Sequence, residues 1–172
     1  MTALSWIILI IVAYFFLVFF VLRLLAPFMG FGGYRLPATI PQAVKDKITE
    51  LENKSTDQLS YLQAAYDFVK SRWRATRGEV VYKFHLIFRD DIEKIWDAPG
   101  FAHCTTTNFV LNVLLANSKF FKADDIKVKH QFFNFTPHQY LVVKIGGKWT
   151  DADPAGAGIR GKGLGYHAKW FG

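Results

Sequence analysis

The stretch that decides the fold is CTTTNFVLNVLLAN, residues 104–117. On a helix drawn through it, apolar side chains from Phe109 to Ala116 cover nearly every side. A helix that is apolar all round is a buried one, so this segment is expected to run through the centre of the domain. It opens on Cys104, the single cysteine of the chain. The sequence therefore predicts a central helix with a thiol at its start.

Cys104 has no partner for an intramolecular disulfide, so packing, metal binding or reactivity must explain it. Pro99 and Gly100 make a turn just before it, which places the thiol in the first turn of the helix. The positive end of the helix dipole favours a thiolate there. Free cysteines are also often plain buried packing residues, and Cys104 taken alone fits either interpretation.

Two helices are predicted upstream of this segment. The first places Val44, Ile48 and Leu51 at helical spacing. The second starts at Thr56 or Asp57, either of which can cap it. Its apolar stripe consists of Leu59, Leu62, Tyr66, Val69 and Trp73. Both helices are expected to pack their apolar sides on the central helix.

Strands are predicted on both sides of the central helix from runs of β-branched and aromatic residues. They are residues 80–88, 126–135, 138–145 and 148–152. A turn is expected at residues 136–137, and Gly146-Gly147 signals a tight hairpin. Asp90 or Asp91 can cap a short helix after the first strand. Helices followed by an antiparallel sheet indicate an α+β fold.

The first quarter of the chain differs from the rest. Residues 4–22 carry no charge, and their number is close to the roughly 20 that a bilayer-spanning helix needs. A cleaved secretory signal is the alternative, but neither a basic n-region nor an Ala-x-Ala site is present. Residues 1–26 are therefore predicted to be a transmembrane anchor.

Basic side chains follow only the carboxyl side of that apolar run. They are Arg23, Arg35, Lys45 and Lys47. The positive-inside rule then predicts a single-pass protein whose globular part faces the cytoplasm. Residues 27–39 are rich in Pro and Gly and are predicted to be a juxtamembrane linker, which leaves residues 40–172 as one domain.

The net charge is +7, yet no run of basic residues is dense enough for a nucleic-acid surface. The end of the domain, from Gly156 onward, is Gly-rich and basic and is expected to be a flexible tail. It nearly spells a phosphate-binding loop, but Gly163 stands where that motif needs a hydroxyl. Nucleotide and nucleic-acid binding are therefore not expected, and the oligomeric state is left open.

A thiol nucleophile needs a base, and the base needs an acceptor that fixes its tautomer. His138 begins one strand of the terminal hairpin, and Asp153 follows its partner strand. The Gly-Gly turn can bring the two side by side, facing the helix that carries Cys104. Asp151 competes with Asp153 because both lie on the same face of an alternating strand.

These residues resemble the transglutaminase-like domain of the papain-like cysteine protease superfamily. The matching features are Cys104 at the start of a central helix, His138 opening a strand, and Trp149, Asp153 and Pro154 in WTDADP. The resemblance covers residues 57–155 or so and favours Asp153 over Asp151 through the Asp-Pro pair.

The resemblance implies a papain-like core with a Cys104-His138-Asp153 triad that acts on an amide of a protein or peptide, without a metal or an organic cofactor. A cysteine peptidase or amidase is the first expectation. Alternatives are a protein-crosslinking transglutaminase and a catalytically silent binding or scaffold module. The backbone N–H of Cys104 is the expected oxyanion donor, with Trp73 and Trp96 as side-chain candidates.

Zinc is the rival interpretation of the same residues. His103, Cys104, His138 and an Asp are acceptable ligand types. Neighbours at a helix start point in different directions, however, and no Cys-x-x-Cys or His-x-x-x-His pair supports them. A zinc site is therefore not expected.

Overall fold

The structure is a computed structural model that describes residues 2–30, 34–131 and 138–168. The α-helices are α1 (Ala3–Phe16), α2 (Leu22–Leu25), α3 (Gln42–Asn53), α4 (Gln58–Arg72), α5 (Arg77–Tyr82), α6 (Ile92–Asp97), α7 (Cys104–Ala116) and α8 (Pro154–Arg160). The strands are β1 (Trp73–Arg74), β2 (Gly100–Phe101), β3 (Ile126–Gln131), β4 (His138–Ile145) and β5 (Lys148–Ala152). A π-helix spans Leu17–Val21, and 3₁₀ turns span Phe84–Phe88 and Ala123–Asp125. Helices hold 55% of the residues and strands 15%, so the fold mixes both element types.

The central helix α7 lies between α4 on one side and the sheet on the other. Every side chain from Thr105 to Leu115 is buried, as the uniformly apolar pattern predicts. Tyr61 of α4 donates a hydrogen bond to the carbonyl of Leu114, 2.9 Å away, which fixes the far end of α7 against its neighbour. This bond lies at the end of α7 opposite Cys104.

The sheet is antiparallel, with strand order β3-β4-β5 and β4 in the middle. In its register Gln131 pairs with His138 at one end of β4, and Ile145 pairs with Lys148 at the other. Gly146 and Gly147 have positive φ values of 54° and 86°, which confirms the tight hairpin predicted there. The predicted strand at residues 126–135 ends at Gln131, and the rest of it, with the turn at 136–137, lies outside the described residues.

Caps that the sequence predicts are present at two helix starts. Asp57 accepts the backbone N–H of Ser60 at 2.8 Å, and the Ser60 hydroxyl accepts the N–H of Asp57 in return. Asp91 accepts the N–H of Glu93 at 2.9 Å at the start of α6. These bonds satisfy N–H groups that a helix start leaves without a partner, so α4 and α6 begin where expected.

The strand predicted at residues 80–88 is wrong, because this stretch is helical. It forms α5 and the 3₁₀ turn that follows. Thr76 accepts the N–H of Glu79 as a cap, and Lys83 pairs with Glu79 one turn along at 2.6 Å. Local capping and a pair of charges at i,i+4 outweigh the β-propensity of the branched and aromatic residues.

The predicted transmembrane anchor is wrong as well, and with it the single-pass membrane localisation. The apolar run is helical, but α1 ends at Phe16, a π-helix follows, and α2 has four residues. Among residues 2–30, 34–131 and 138–168, no helix is long and apolar enough to cross a membrane. A hydropathy pattern records the polarity of side chains and does not show where a helix ends; the run is divided into elements of 14, 5 and 4 residues, each shorter than the roughly 20 that a span needs. The cytoplasmic orientation depended on that span and loses its basis.

The segment predicted to be a linker packs against the domain. Ala26 and Met29 are buried together with Ile87. The ring of Phe28 stacks on Phe109 of α7, with ring centroids 4.0 Å apart. The described residues of this segment therefore pack against the domain, and the packed unit begins before residue 40.

Candidate active site

Cys104 is the first residue of α7, and its side chain is half-buried. The turn before it is held by the small β1–β2 pair and by Ala102, whose N–H donates to the carbonyl of Arg74 at 3.1 Å. His103, the residue before α7, does not cap the helix with its side chain. The thiol lies in the first turn of α7, at the positive end of the helix dipole.

His103 belongs to the support of this turn. Its ring lies edge-on to Phe101 and within 3.2 Å of the carbonyl oxygen of Lys83. Burial is the main reason that the pKa of His103 falls below its ordinary value, so the ring is neutral at pH 7. His103 is therefore a packing residue next to Cys104.

His138 and Asp153 meet as the sequence predicts. His138 Nε2 lies 2.6 Å from Asp153 Oδ2, and the two side chains are 12% and 0% exposed. Cys104 lies close enough to His138 to influence the pKa of the ring. Since Asp153 occupies Nε2, Nδ1 is the ring nitrogen left for the thiol. The structure thus brings Cys104 near a His138 ring that is hydrogen bonded to Asp153.

The environment of His138 favours its protonated form. Burial alone would lower its pKa, but the hydrogen bond with Asp153 and the interactions with Cys104, together with the charge of Asp153, raise the pKa of His138 to about 10. His138 is therefore protonated at neutral pH.

Asp153 is held mainly by backbone N–H groups. Gly156 donates to Oδ1 at 2.8 Å, and Ala168 donates to Oδ2 at 2.9 Å. Tyr66 donates from α4 to the Asp153 carbonyl at 3.3 Å. Each oxygen of the buried side chain thus has a hydrogen-bond donor, which fixes its orientation.

Gly156 is a site residue that the sequence analysis missed. A Cβ at this position would lie 2.1 Å from Asp153 Oδ2 and 2.7 Å from the Cβ of Ala168. A signal was present: Asp153 followed by Pro154 is a helix start with Pro at the first helical position, and the residue three places after the cap donates to it. Asp153 is therefore both the helix cap and the partner of His138.

Asp151, the competing carboxylate, has a different partner. Its Oδ2 lies 2.7 Å from Nδ1 of His167, and its carbonyl accepts the N–H of Gly165 at 2.8 Å. The ring of His167 lies parallel to that of Tyr140, with centroids 4.2 Å apart. The segment expected to be a flexible tail instead forms α8 and then, at residues 163–168, returns across the sheet. We call residues 163–168 the C-terminal strap.

The two tryptophans proposed as oxyanion donors lie in the core. Trp73 is 1% exposed, and its Nε1–H donates to the carbonyl of Ile95 at 3.3 Å. Trp96 is 5% exposed, and its ring centroid lies 5.6 Å from that of Trp73. Neither indole is open to a substrate, so the backbone N–H of Cys104 remains the donor that the site offers.

Metal-ligand geometry is absent from the part of the chain that the structure describes. No group of three or more His, Cys, Asp or Glu side chains in it is arranged to hold an ion. His103, offered by the sequence as a zinc ligand, points to Lys83 and Phe101.

Comparisons with protein-family models, with curated proteins and with solved structures found no match. The chemistry of the site is therefore inferred from its own residues. A thiol, an imidazole that holds a proton and a buried carboxylate form a series that can attack a carbonyl carbon and return a proton to a leaving group.

Proposed function

We propose that this chain is a cysteine-dependent amide hydrolase or acyltransferase. The observation that carries the proposal is that His138 hydrogen bonds with the buried Asp153 and lies close enough to Cys104 for the thiol to influence its pKa. A packing cysteine needs no such partner, whereas a nucleophile needs a base and the base needs an acceptor. The resemblance to transglutaminase-like domains supports the same assignment of roles.

The first half-reaction follows from the geometry. The Cys104 thiolate attacks the carbonyl carbon of an amide, and the oxygen takes up negative charge opposite the backbone N–H of Cys104. The C–N bond then breaks, and the imidazolium of His138 gives its proton to the departing amine. The products of this step are a thioester on Cys104, a neutral His138 and a free amine.

The second half-reaction decides the class of the enzyme. Neutral His138 takes a proton from water, and the resulting attack on the thioester releases a carboxylic acid and restores the thiol. If a primary amine attacks instead, the product is a new amide, as in crosslinking. A protein or peptide amide is the proposed substrate, and hydrolysis by a peptidase or amidase is the proposed outcome.

Alkylation tests the reactivity of the thiol, and a single cysteine makes the labelling unambiguous. At pH 6, iodoacetamide should modify Cys104 at least about tenfold faster than free cysteine, because little of a free thiol is ionised at that pH. His138→Ala should remove the advantage, and Asp153→Ala should reduce it. Equal rates in all three proteins and in free cysteine would favour the catalytically silent module.

An activated ester tests acyl transfer whatever the natural substrate is. With p-nitrophenyl acetate we expect a burst of nitrophenol and an acetyl group on the peptide that contains Cys104. Release of acetate in water supports a hydrolase, whereas transfer of acetyl to added glycine methyl ester supports an acyltransferase. Cys104→Ala is the control, and a burst that persists in it would contradict the proposal.

A further inference from the structure

Gln139 follows His138 on β4 and is a buried polar residue, with 3% of its surface exposed. Its Oε1 accepts a short hydrogen bond from the hydroxyl of Tyr34. Its Nε2 donates to the carbonyl of Phe28 at 2.7 Å, and its own carbonyl accepts from Nδ2 of Asn108 at 2.6 Å. Gln139 thus joins the start of β4 both to α7 and to the chain segment that precedes the domain.

The hydroxyl of Tyr34 also lies close to α7, the helix that carries Cys104. It lies 3.3 Å from the carbonyl oxygen of Thr105, the residue after Cys104. A single hydroxyl therefore contacts the residue that follows the nucleophile and the residue that follows the base. Burial, and then the charges of Cys104 and Asp153, raise the pKa of Tyr34 well above its ordinary value, so the phenol keeps its proton and remains a donor.

The ring of Tyr34 is held independently of this hydroxyl. It packs edge-on against Phe28 and Phe109, with centroids 5.8 and 5.9 Å away. Phe28 in turn stacks on Phe109 of the nucleophile helix. Removal of the hydroxyl alone would leave the ring where it is, so the polar contact can be tested apart from the packing.

We propose that Tyr34 is a positioning residue that sets the separation between the thiol of Cys104 and the ring of His138. The inference rests on the proposed function. Cys104 and His138 lie on different elements, α7 and β4, and proton transfer between them depends on a separation held to a fraction of an ångström. The Tyr34 hydroxyl ties these elements within one residue of each reacting side chain. The segment predicted to be a linker thereby becomes part of the catalytic unit.

Tyr34→Phe tests this inference by removing one oxygen atom. We expect alkylation of Cys104 by iodoacetamide at pH 6 to slow about tenfold. Iodoacetate should slow further, because its carboxylate is attracted by an imidazolium held beside the thiolate. The ratio of the two rates therefore reports the Cys104–His138 pair, and a purely structural role would leave that ratio unchanged.

Tyr61→Phe is the matched control. It removes another buried tyrosine hydroxyl that donates to a backbone carbonyl of α7, that of Leu114, at the end remote from Cys104. Tyr61→Phe should lower the melting temperature and leave both alkylation rates at the wild-type values. A slowing of the same size in Tyr61→Phe and Tyr34→Phe would overturn the positioning role, because any loosening of α7 would then suffice.

Gln139→Met provides a second route if Tyr34→Phe does not fold. It removes the acceptor of the Tyr34 hydroxyl, keeps an unbranched side chain of similar length, and should slow alkylation in the same way. Both substitutions remove the bond between Tyr34 and Gln139, whereas only Gln139→Met removes the bond to the Phe28 carbonyl and only Tyr34→Phe removes the contact with the Thr105 carbonyl. The double variant should therefore slow alkylation by less than the product of the two single effects. Slowing equal to that product would overturn the positioning role of Tyr34.

His138→Ala separates the failure of this inference from that of the proposed function. If His138→Ala reacts like the wild type, the proposed function is wrong, and the role of Tyr34 falls with it. If His138→Ala is slow while Tyr34→Phe and Gln139→Met react at the wild-type rate and ratio, only the positioning role is overturned.

Discussion

The two sides of the site are built in different ways. On the nucleophile side, Cys104 stands on a helix whose next eleven residues are all buried in apolar packing with α4, β4 and Phe28. On the carboxylate side, Asp153 is held by two backbone N–H groups and by a glycine that leaves no space for a side chain. The first side depends on buried apolar area and the second on close approach of the backbone. We therefore expect different responses to mutation.

The largest effect is expected from truncating the nucleophile side at Phe109. Phe109 is 2% exposed and stacks on Phe28, so Phe109→Ala should lower the free energy of unfolding by about 4 kcal/mol, through lost burial and the cavity left behind. Phe88→Ala is the control, because Phe88 is 43% exposed and its loss should cost less than about 1 kcal/mol. Denaturation in urea measures both. Similar losses would mean that α7 is not the packing centre.

The next effect is expected at Gly156. A methyl group there would lie 2.1 Å from Asp153 Oδ2, so Gly156→Ala should push the carboxylate away from His138 and cost about 2 kcal/mol of stability. Alkylation of Cys104 should fall to the rate found in Asp153→Ala. Gly163→Ala is the control, since nothing lies within 4 Å of its added Cβ. A Gly156→Ala protein with the wild-type alkylation rate would show that the carboxylate side tolerates movement.

The same difference explains what the sequence could predict. The apolar side chains from Phe109 to Ala116 predicted that α7 lies at the centre. The Gly146-Gly147 turn predicted that β4 pairs with β5, so His138 and Asp153 could be named as partners. Hydrogen bonds from backbone N–H groups have no side-chain signature, so the contribution of Ala168 could not be found. The only feature of the sequence that pointed to Gly156 was the helix start at Asp153-Pro154, which precedes it.

Apolar sequence also has limits as a guide. Residues 4–22 are more apolar than the segment that forms α7, which holds three Thr and two Asn, yet α7 is buried whereas the described side chains of α1 are exposed or half-buried. The first run changes its hydrogen-bond register after Phe16, which hydropathy does not record. Tyr34 escaped notice for a related reason: it stands among Gly and Pro residues, and its contacts with Thr105 and Gln139 are remote in sequence.

The third expected effect is a change of stability with pH, and it distinguishes His138 from His103 and His130. The folded state raises the pKa of His138 from 6.5 to about 10, so it favours the protonated form. This contribution to stability is complete below pH 6.5 and is lost as pH rises through 10. The free energy of unfolding of the wild type, minus that of His138→Gln, should therefore decrease between pH 6.5 and pH 10.

His103 and His130 give the opposite sign and serve as the internal contrast. Burial is the main cause that lowers the pKa of each, so their contribution is lost as pH falls below 6.5 and does not overlap that of His138. Urea denaturation at a series of pH values measures the difference. A difference that is constant from pH 6.5 to pH 10 would contradict the assignment of a protonated His138 at neutral pH.

The smallest effect is expected at the edge of the carboxylate side, in the C-terminal strap. His167 stacks on Tyr140 and pairs with Asp151, and the N–H of the next residue, Ala168, donates to Asp153. The His167–Asp151 pair is partly exposed, so its loss should cost less than about 1 kcal/mol. The structural effect of this loss should be local, because the contacts of His167 hold the neighbouring Ala168 N–H where it can donate to the Asp153 carboxylate.

Two substitutions at His167 separate stacking from ion pairing. His167→Phe keeps a ring against Tyr140 and loses the bond to Asp151, whereas His167→Ala loses both. Hydrogen exchange at the Ala168 amide should be slow in the wild type, slightly faster in His167→Phe and fastest in His167→Ala, because the strap opens more easily as each contact is removed. If exchange is equally slow in all three, the bond from Gly165 to the Asp151 carbonyl is sufficient to hold the strap. The carboxylate side would then be held by backbone contacts alone, whereas the side that carries Cys104 is held by the packing of side chains around α7.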